Sequence, residues 1–75
     1  MSRRVVYTKH AHDRMAQRNV TREEVLETIL NHHTTFTDPD GNRNYVGHVG
    51  GRPIRVVIGG DGVDGDLVVL TVIAD

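Results

Sequence analysis

A chain of 75 residues with no cysteine must hold one small domain together by packing alone. Such a chain buries only about 60% of its unfolded surface. The missing cysteines exclude a disulfide framework and a thiolate metal site, and they point to a reducing, cytoplasmic setting. The net charge of −1 argues against a strongly basic nucleic-acid binder, yet it hides a split: residues 1–22 hold six basic side chains and one acidic, and residues 23–75 hold three and nine. One cationic surface, able to meet an anion or an acidic partner, is expected. No apolar run of signal-peptide length opens the chain. The longest apolar run, Leu67 to Ala74, is interrupted by Thr71 and too short for a bilayer, so no membrane partner is expected.

Two helices come first. Residues 9–18 lack Gly, Pro and β-branched side chains, with Thr8 as the N-cap and Asn19 able to end the helix in a left-handed conformation. The second helix is expected over residues 22–32. Thr21 and Glu24 have capping-box spacing, Val20 and Val25 the spacing of a hydrophobic staple, and Val25, Leu26, Ile29 and Leu30 form the apolar stripe of a core element.

From Thr34 the period changes to two. Strands are expected over 34–37, 43–49, 52–59 and 66–74, with Gly47 as the site of a bulge. Asp38–Asn42 (DPDGN) is a turn, Gly50-Gly51 a two-residue hairpin signal, and GDGVDG (60–65) a loop. Short connections predict an antiparallel meander. The fold class is therefore α+β, ααββββ, with two helices on one face of a four-stranded antiparallel sheet. The economical packing lays the helices over Ile54, Val56, Val68, Leu70 and Val72 and turns Arg55 and Thr71 to the other face. Leu67, Val69 and Ile73 would share that open face, where bulky apolar side chains suit a homodimer interface.

The candidate chemistry lies in HAHDRMAQR. His10, Arg14 and Arg18 fall within one quadrant of the first helix, where the two arginines repel by a few tenths of a kcal/mol unless an anion intervenes. They either pair with Glu23, Glu24 or Glu27 of the next helix or form an anion site with His10 as a proton-transfer group. His10 and His12 point apart on a helix, His32 and His33 are adjacent, and His48 is remote, so no zinc spacing exists. Asp38-x-Asp40-x-Asn42 mimics half a calcium loop but lacks the later Gly and Glu. Asp61, Asp64 and Asp66 read as hairpin-loop residues. Gly59-Gly60-x-Gly62 precedes no helix and is no phosphate cradle. Neither a metal nor a cofactor is expected. Tyr7, Phe36 and Tyr45 are too few for a base-stacking platform, and Tyr45 reads as a packing residue.

The order of HAHDRMAQR, the capped second helix, GRPIRVVI and LVVLTVI resembles a family of small bacterial and archaeal domains of unknown function. The resemblance runs from about Tyr7 to Ile73. It implies a fold similar to the RelE/ParE/BrnT toxins, whose open sheet face meets RNA. By motif it also implies a metal-independent ribonuclease of a toxin–antitoxin system, with RNA and an antitoxin-like protein as partners. Carried over to this chain, His10, Arg14, Arg55 and Thr71 would be catalytic, and Arg18 and Arg52 would bind phosphate. The competing expectation is a non-catalytic binding or dimerisation module with the same fold.

Overall fold

A computed structural model of the chain describes residues 4–59 and 65–74. Its elements, in chain order, are β1 (Val5–Tyr7), α1 (Lys9–Arg18), α2 (Arg22–Leu30), β2 (Thr34–Thr37), β3 (Arg43–Val49), β4 (Arg52–Gly59) and β5 (Leu67–Ala74). They build an α+β fold in which two helices accompany one five-stranded sheet of order β1-β5-β4-β3-β2. Four of the strands form the expected antiparallel meander. The fifth, β1, pairs parallel with β5, which corrects the four-stranded, wholly antiparallel expectation. A three-residue strand has no period to detect, and its partner lies 62 residues further along the chain. The described part of the loop expected over 60–65 is Gly65 alone; residues 60–64 lie outside the described residues.

Both helix starts follow their caps. Thr8 Oγ1 accepts the Ala11 N–H at 3.1 Å, and Asn19 closes α1 in the left-handed region at φ 56°. In α2 the box is reciprocal: Glu24 N–H donates to Thr21 Oγ1 (3.1 Å), and Thr21 N–H donates to Glu24 Oε1 (2.9 Å). This helix stops at Leu30, two residues before its expected end. The Asn31 N–H bonds the Glu27 carbonyl (2.8 Å), and the His33 N–H already bonds the Val46 carbonyl of β3 (2.9 Å), so the chain has joined the sheet.

The inner face of α2 is narrower than its apolar pattern. Val25 and Thr28 are buried and Ile29 packs against the core, whereas Leu26 is exposed and Leu30 is 78% exposed. Thr28 can be buried because its hydroxyl donates to the Glu24 carbonyl at 2.8 Å. Beneath it, Gly47 lies in unbroken register with Ile54 and makes no bulge. A Cβ at Gly47 would stand at ordinary contact distance, 3.5–3.6 Å, from Thr28 and the His32 Cα, where α2 faces β3.

The bulge lies in β5 instead. Val57 pairs with Thr71 and Ile58 with Val69, leaving Leu70 as the additional residue. Ile54, Val56 and Val72 face the helices as expected, but beyond the bulge the alternation reverses. Val69 is fully buried and Leu67 packs on the core, while Val68 pairs with Gly59 on the open face. Leu70 also turns to that face, with its side chain about 3.0 Å from where a Cβ on Gly59 would sit. The open face thus carries Val6, Val57, Val68, Leu70 and Ile73, not Leu67 and Val69. Ala11, Met15, Val20, Val25, Ile54, Val56, Ile58, Val69, Val72 and Ala74 form the core between sheet and helices.

Two turns stand as read. Gly50 and Gly51 have φ 60° and 80°, the left-handed pair that a tight hairpin needs. Asp38 Oδ1 accepts from the N–H groups of Asp40 (3.0 Å) and Asn42 (2.9 Å), and Oδ2 accepts from Asn44 Nδ2 (3.1 Å). These bonds, the Asn42 backbone first, hold the Asp38 carboxyl below its ordinary 3.8. The Thr21 backbone and Arg52 hold that of Glu24 below 4.5. Among the described residues, no helix is long and apolar enough to cross a membrane.

A carboxyl whose pKa is lower in the folded than in the unfolded chain adds stability above its unfolded pKa, and that stability is lost as pH falls through the folded one. The melting temperature is therefore expected to hold between pH 7 and about 5 and to fall below about pH 4. Calorimetry of Asp38→Asn and Glu24→Gln should show a lower neutral plateau and a shallower acid limb. An acid limb unchanged in both variants would remove these two groups as its cause.

Candidate functional site

The site begins with the way α1 is seated. Ala11 and Met15 are buried against the sheet, so the residue preceding each, His10 and Arg14, stands about 100° around the helix, with Arg18 one turn further. These three line a groove of about 320 Å³ whose other wall is Thr71, Val72 and Ile73 of β5. The structure therefore brings together four sequence-predicted residues from opposite ends of the chain.

The groove exists because β1 is short. Val69 accepts the Thr8 N–H at 3.1 Å, and the Leu70 carbonyl accepts the Thr8 hydroxyl at the same distance. There the chain leaves the sheet and becomes α1. Beyond Val69, β5 has β4 on one side and, among the described residues, no strand on the other. Thr71 can thus belong by register to the open face and still reach the flank of α1, since the groove opens at the sheet edge.

No carboxylate among the described residues pairs with the arginines along the groove. Among the described residues, ion pairs join Arg4 to Asp66 (3.3 Å) and Arg52 to Glu24 (3.1 Å), and none involves Arg14 or Arg18. Arg14 Nη1 donates to the neutral Gln17 Oε1 (3.3 Å). The alternative in which the stripe pairs with α2 is not adopted, because Glu24 is taken by its own cap and by Arg52. Two guanidinium groups and an imidazole on one wall, facing a hydroxyl-bearing strand, form a place for an oxyanion such as a phosphodiester.

Arg52 and Arg55 lie elsewhere. Arg52 Nη1 donates to the Arg18 carbonyl (2.9 Å), and Nη2 donates to the Asn19 carbonyl (2.9 Å) and to Glu24. It satisfies carbonyls at the end of α1 and ties α1, α2 and β4 together. Arg55 stands on the open face opposite Ile73, and its guanidinium lies 5.9 Å from the Phe36 ring centroid. Its stem lines a second groove, about 160 Å³, with Val46, Pro53, Ile54, Ile73 and Ala74. Ile73 is the wall common to both grooves.

Sequence reasoning missed Phe36, Asn44 and Asp38 as neighbours of Arg55. Phe36 is 42% exposed on the edge strand β2, and Asn44, opposite it in register, is 1% exposed. The alternation of Phe36 within TTFT was the available signal, but it carries no information about which strand lies beside it.

The histidines part company. His12 leans on Tyr7 across α1 from the groove (ring centroids 5.6 Å), and burial pushes the Tyr7 hydroxyl above its ordinary 10.0 against the opposing pull of Arg22. His32 meets Tyr45 edge-on (4.9 Å), and His33 stacks with His48 (5.1 Å). Among the described residues, no three histidine or carboxylate side chains are placed to hold one metal ion.

The family model described as Domain of unknown function (DUF4258) matches residues 7–74. No curated protein matches the chain, and no solved structure does.

The bonding of Arg52 predicts a structural role. Arg52→Ala is expected to cost about 1–2 kcal/mol through the loss of its bonds to the two carbonyls and to Glu24, read as a lower urea midpoint at unchanged slope. Phosphate affinity, followed by NMR shifts of α1, should be retained. A loss of phosphate affinity with stability intact would reverse that assignment.

Proposed function

The chain belongs to the DUF4258 family of domains of unknown function, and from that premise we propose that it is an RNA-directed, metal-independent ribonuclease resembling the RelE/ParE/BrnT toxins. The observation that supports this reading is the convergence of His10, Arg14, Arg18 and Thr71 on one groove at the sheet edge. In the reaction, the RNA 2′-oxygen bonds to phosphorus as the bond from phosphorus to the 5′-oxygen breaks. A 2′,3′-cyclic phosphate and a 5′-hydroxyl result, with the 2′ proton transferred overall to the leaving oxygen, so no co-reactant is consumed. His10 moves that proton. Arg14 and Arg18 bind the phosphate and offset the charge of the five-coordinate state, and Thr71 orients a phosphate oxygen. Arg55, across Ile73, contacts the substrate beside the scissile group.

A non-catalytic reading is favoured by one observation, the edge of β5 beyond Val69, which pairs with no strand among the described residues. An extended acidic segment of an antitoxin-like partner would add to that edge and be held by the same cations. In this reading the groove is a docking site and does no chemistry. A homodimer through the open face, with Ile73 at its centre, is the corresponding self-association.

Purified protein and a His10→Ala variant, incubated in EDTA with a broad panel of RNAs, separate these readings. Cyclic-phosphate ends from the wild type and a loss of about 10²–10⁴-fold in His10→Ala are expected. No cleavage of any RNA by the folded wild type would remove the enzyme.

A further inference from the structure

We propose that Arg55 and Phe36 form a nucleobase subsite on the open sheet face, selective for guanine. The proposal rests on the RNA-directed reading and names the part of the substrate that the cationic groove does not hold. Phe36 is 42% exposed on the edge strand, and the Arg55 guanidinium lies over its ring, 5.9 Å from the centroid. Bases stack on both kinds of surface, so one aromatic residue suffices where a platform of several is absent.

The donors of Arg55 are uncommitted. It makes no hydrogen bond to a described residue, and its Nε is buried without a partner. The acid whose charge couples to it, Asp38, has both oxygens occupied by Asp40, Asn42 and Asn44. The two Nη groups of Arg55, which bond no described residue, form the fork left to a ligand.

The shape of the guanidinium fork sets the ligand class, because it matches a pair of adjacent neutral acceptors. Among RNA bases, guanine presents two adjacent acceptors, O6 and N7, that match the guanidinium fork. Adenine places an amino donor beside N7, and the pyrimidines lack the pair. Ile73, which lines both grooves and is 44% exposed, marks the path between the subsites. A phosphate beside His10 and a base further along the same strand would lie on either side of it.

The test is an NMR titration of the full chain with GMP, AMP, CMP and UMP, with ribose 5-phosphate as the base-free control. GMP should bind about tenfold or more tightly than the others and shift Phe36 and Arg55, while ribose 5-phosphate shifts only the His10 flank. Arg55→Lys keeps the charge and loses the fork, so the guanine preference should vanish with ribose 5-phosphate affinity unchanged. Phe36→Ala, at an exposed position, should weaken all four mononucleotides. Equal affinities for the four, or identical shift patterns for GMP and ribose 5-phosphate, would overturn the subsite. His10-dependent cleavage could still stand in that case. A guanine preference without cleavage would keep the subsite and remove the enzyme.

Discussion

The rest of the molecule depends on how Thr8 is bonded. Its hydroxyl caps α1 through the Ala11 N–H and also donates to the Leu70 carbonyl, while its own N–H bonds the Val69 carbonyl. One residue therefore ends β1, starts α1 and attaches the joint to β5 at the bulge. Had β1 continued in register, its backbone would have covered the edge at Thr71 and Ile73. Because it stops, the edge stays open, and the helix that replaces it presents His10, Arg14 and Arg18 there.

The bulge at Leu70 does the complementary work. It keeps Val69 and Val72 both facing the helices although they are three residues apart, an odd spacing that an unbroken strand would split between faces. Gly59 leaves room for the displaced Leu70 side chain. The core is thus closed on one side, and Thr71 and Ile73 remain on the other, next to the edge. Arg52 fixes the far end of α1 by bonding its last carbonyls, so the helix that bears the cationic wall is held at both ends. A wall of like charges is tolerable on a helix anchored in this way, and an unneutralised wall is a useful one for binding an anion.

The open face divides into two regions of different character. Along the edge of β5 the arginines of α1 form no ion pair among the described residues. Around Arg55 the guanidinium lies over the half-exposed Phe36 ring. The arginines that look equivalent as letters are separated by their surroundings: Arg14 and Arg18 border the groove, Arg52 braces the helices, and Arg55 lies on a ring.

What the sequence by itself determined are the features governed by neighbouring residues. The caps at Thr8, Thr21 and Asn19, the DPDGN and Gly-Gly turns and the four-strand meander each depend on contacts within a few positions, so their signals are local. The stripe of His10, Arg14 and Arg18 was legible for the same reason, since helical spacing alone places them together. Only the tertiary structure decided that β1 exists, that β5 carries the bulge, and that Thr71 lines the groove beside the stripe while Arg52 bonds the end of α1 and Arg55 lies over Phe36. The first rests on a pairing between residues 62 positions apart and the second on the pairing of β4 with β5, and a single additional residue in a strand reverses every side chain beyond it. Local pattern cannot encode such a reversal, because its cause is the partner strand.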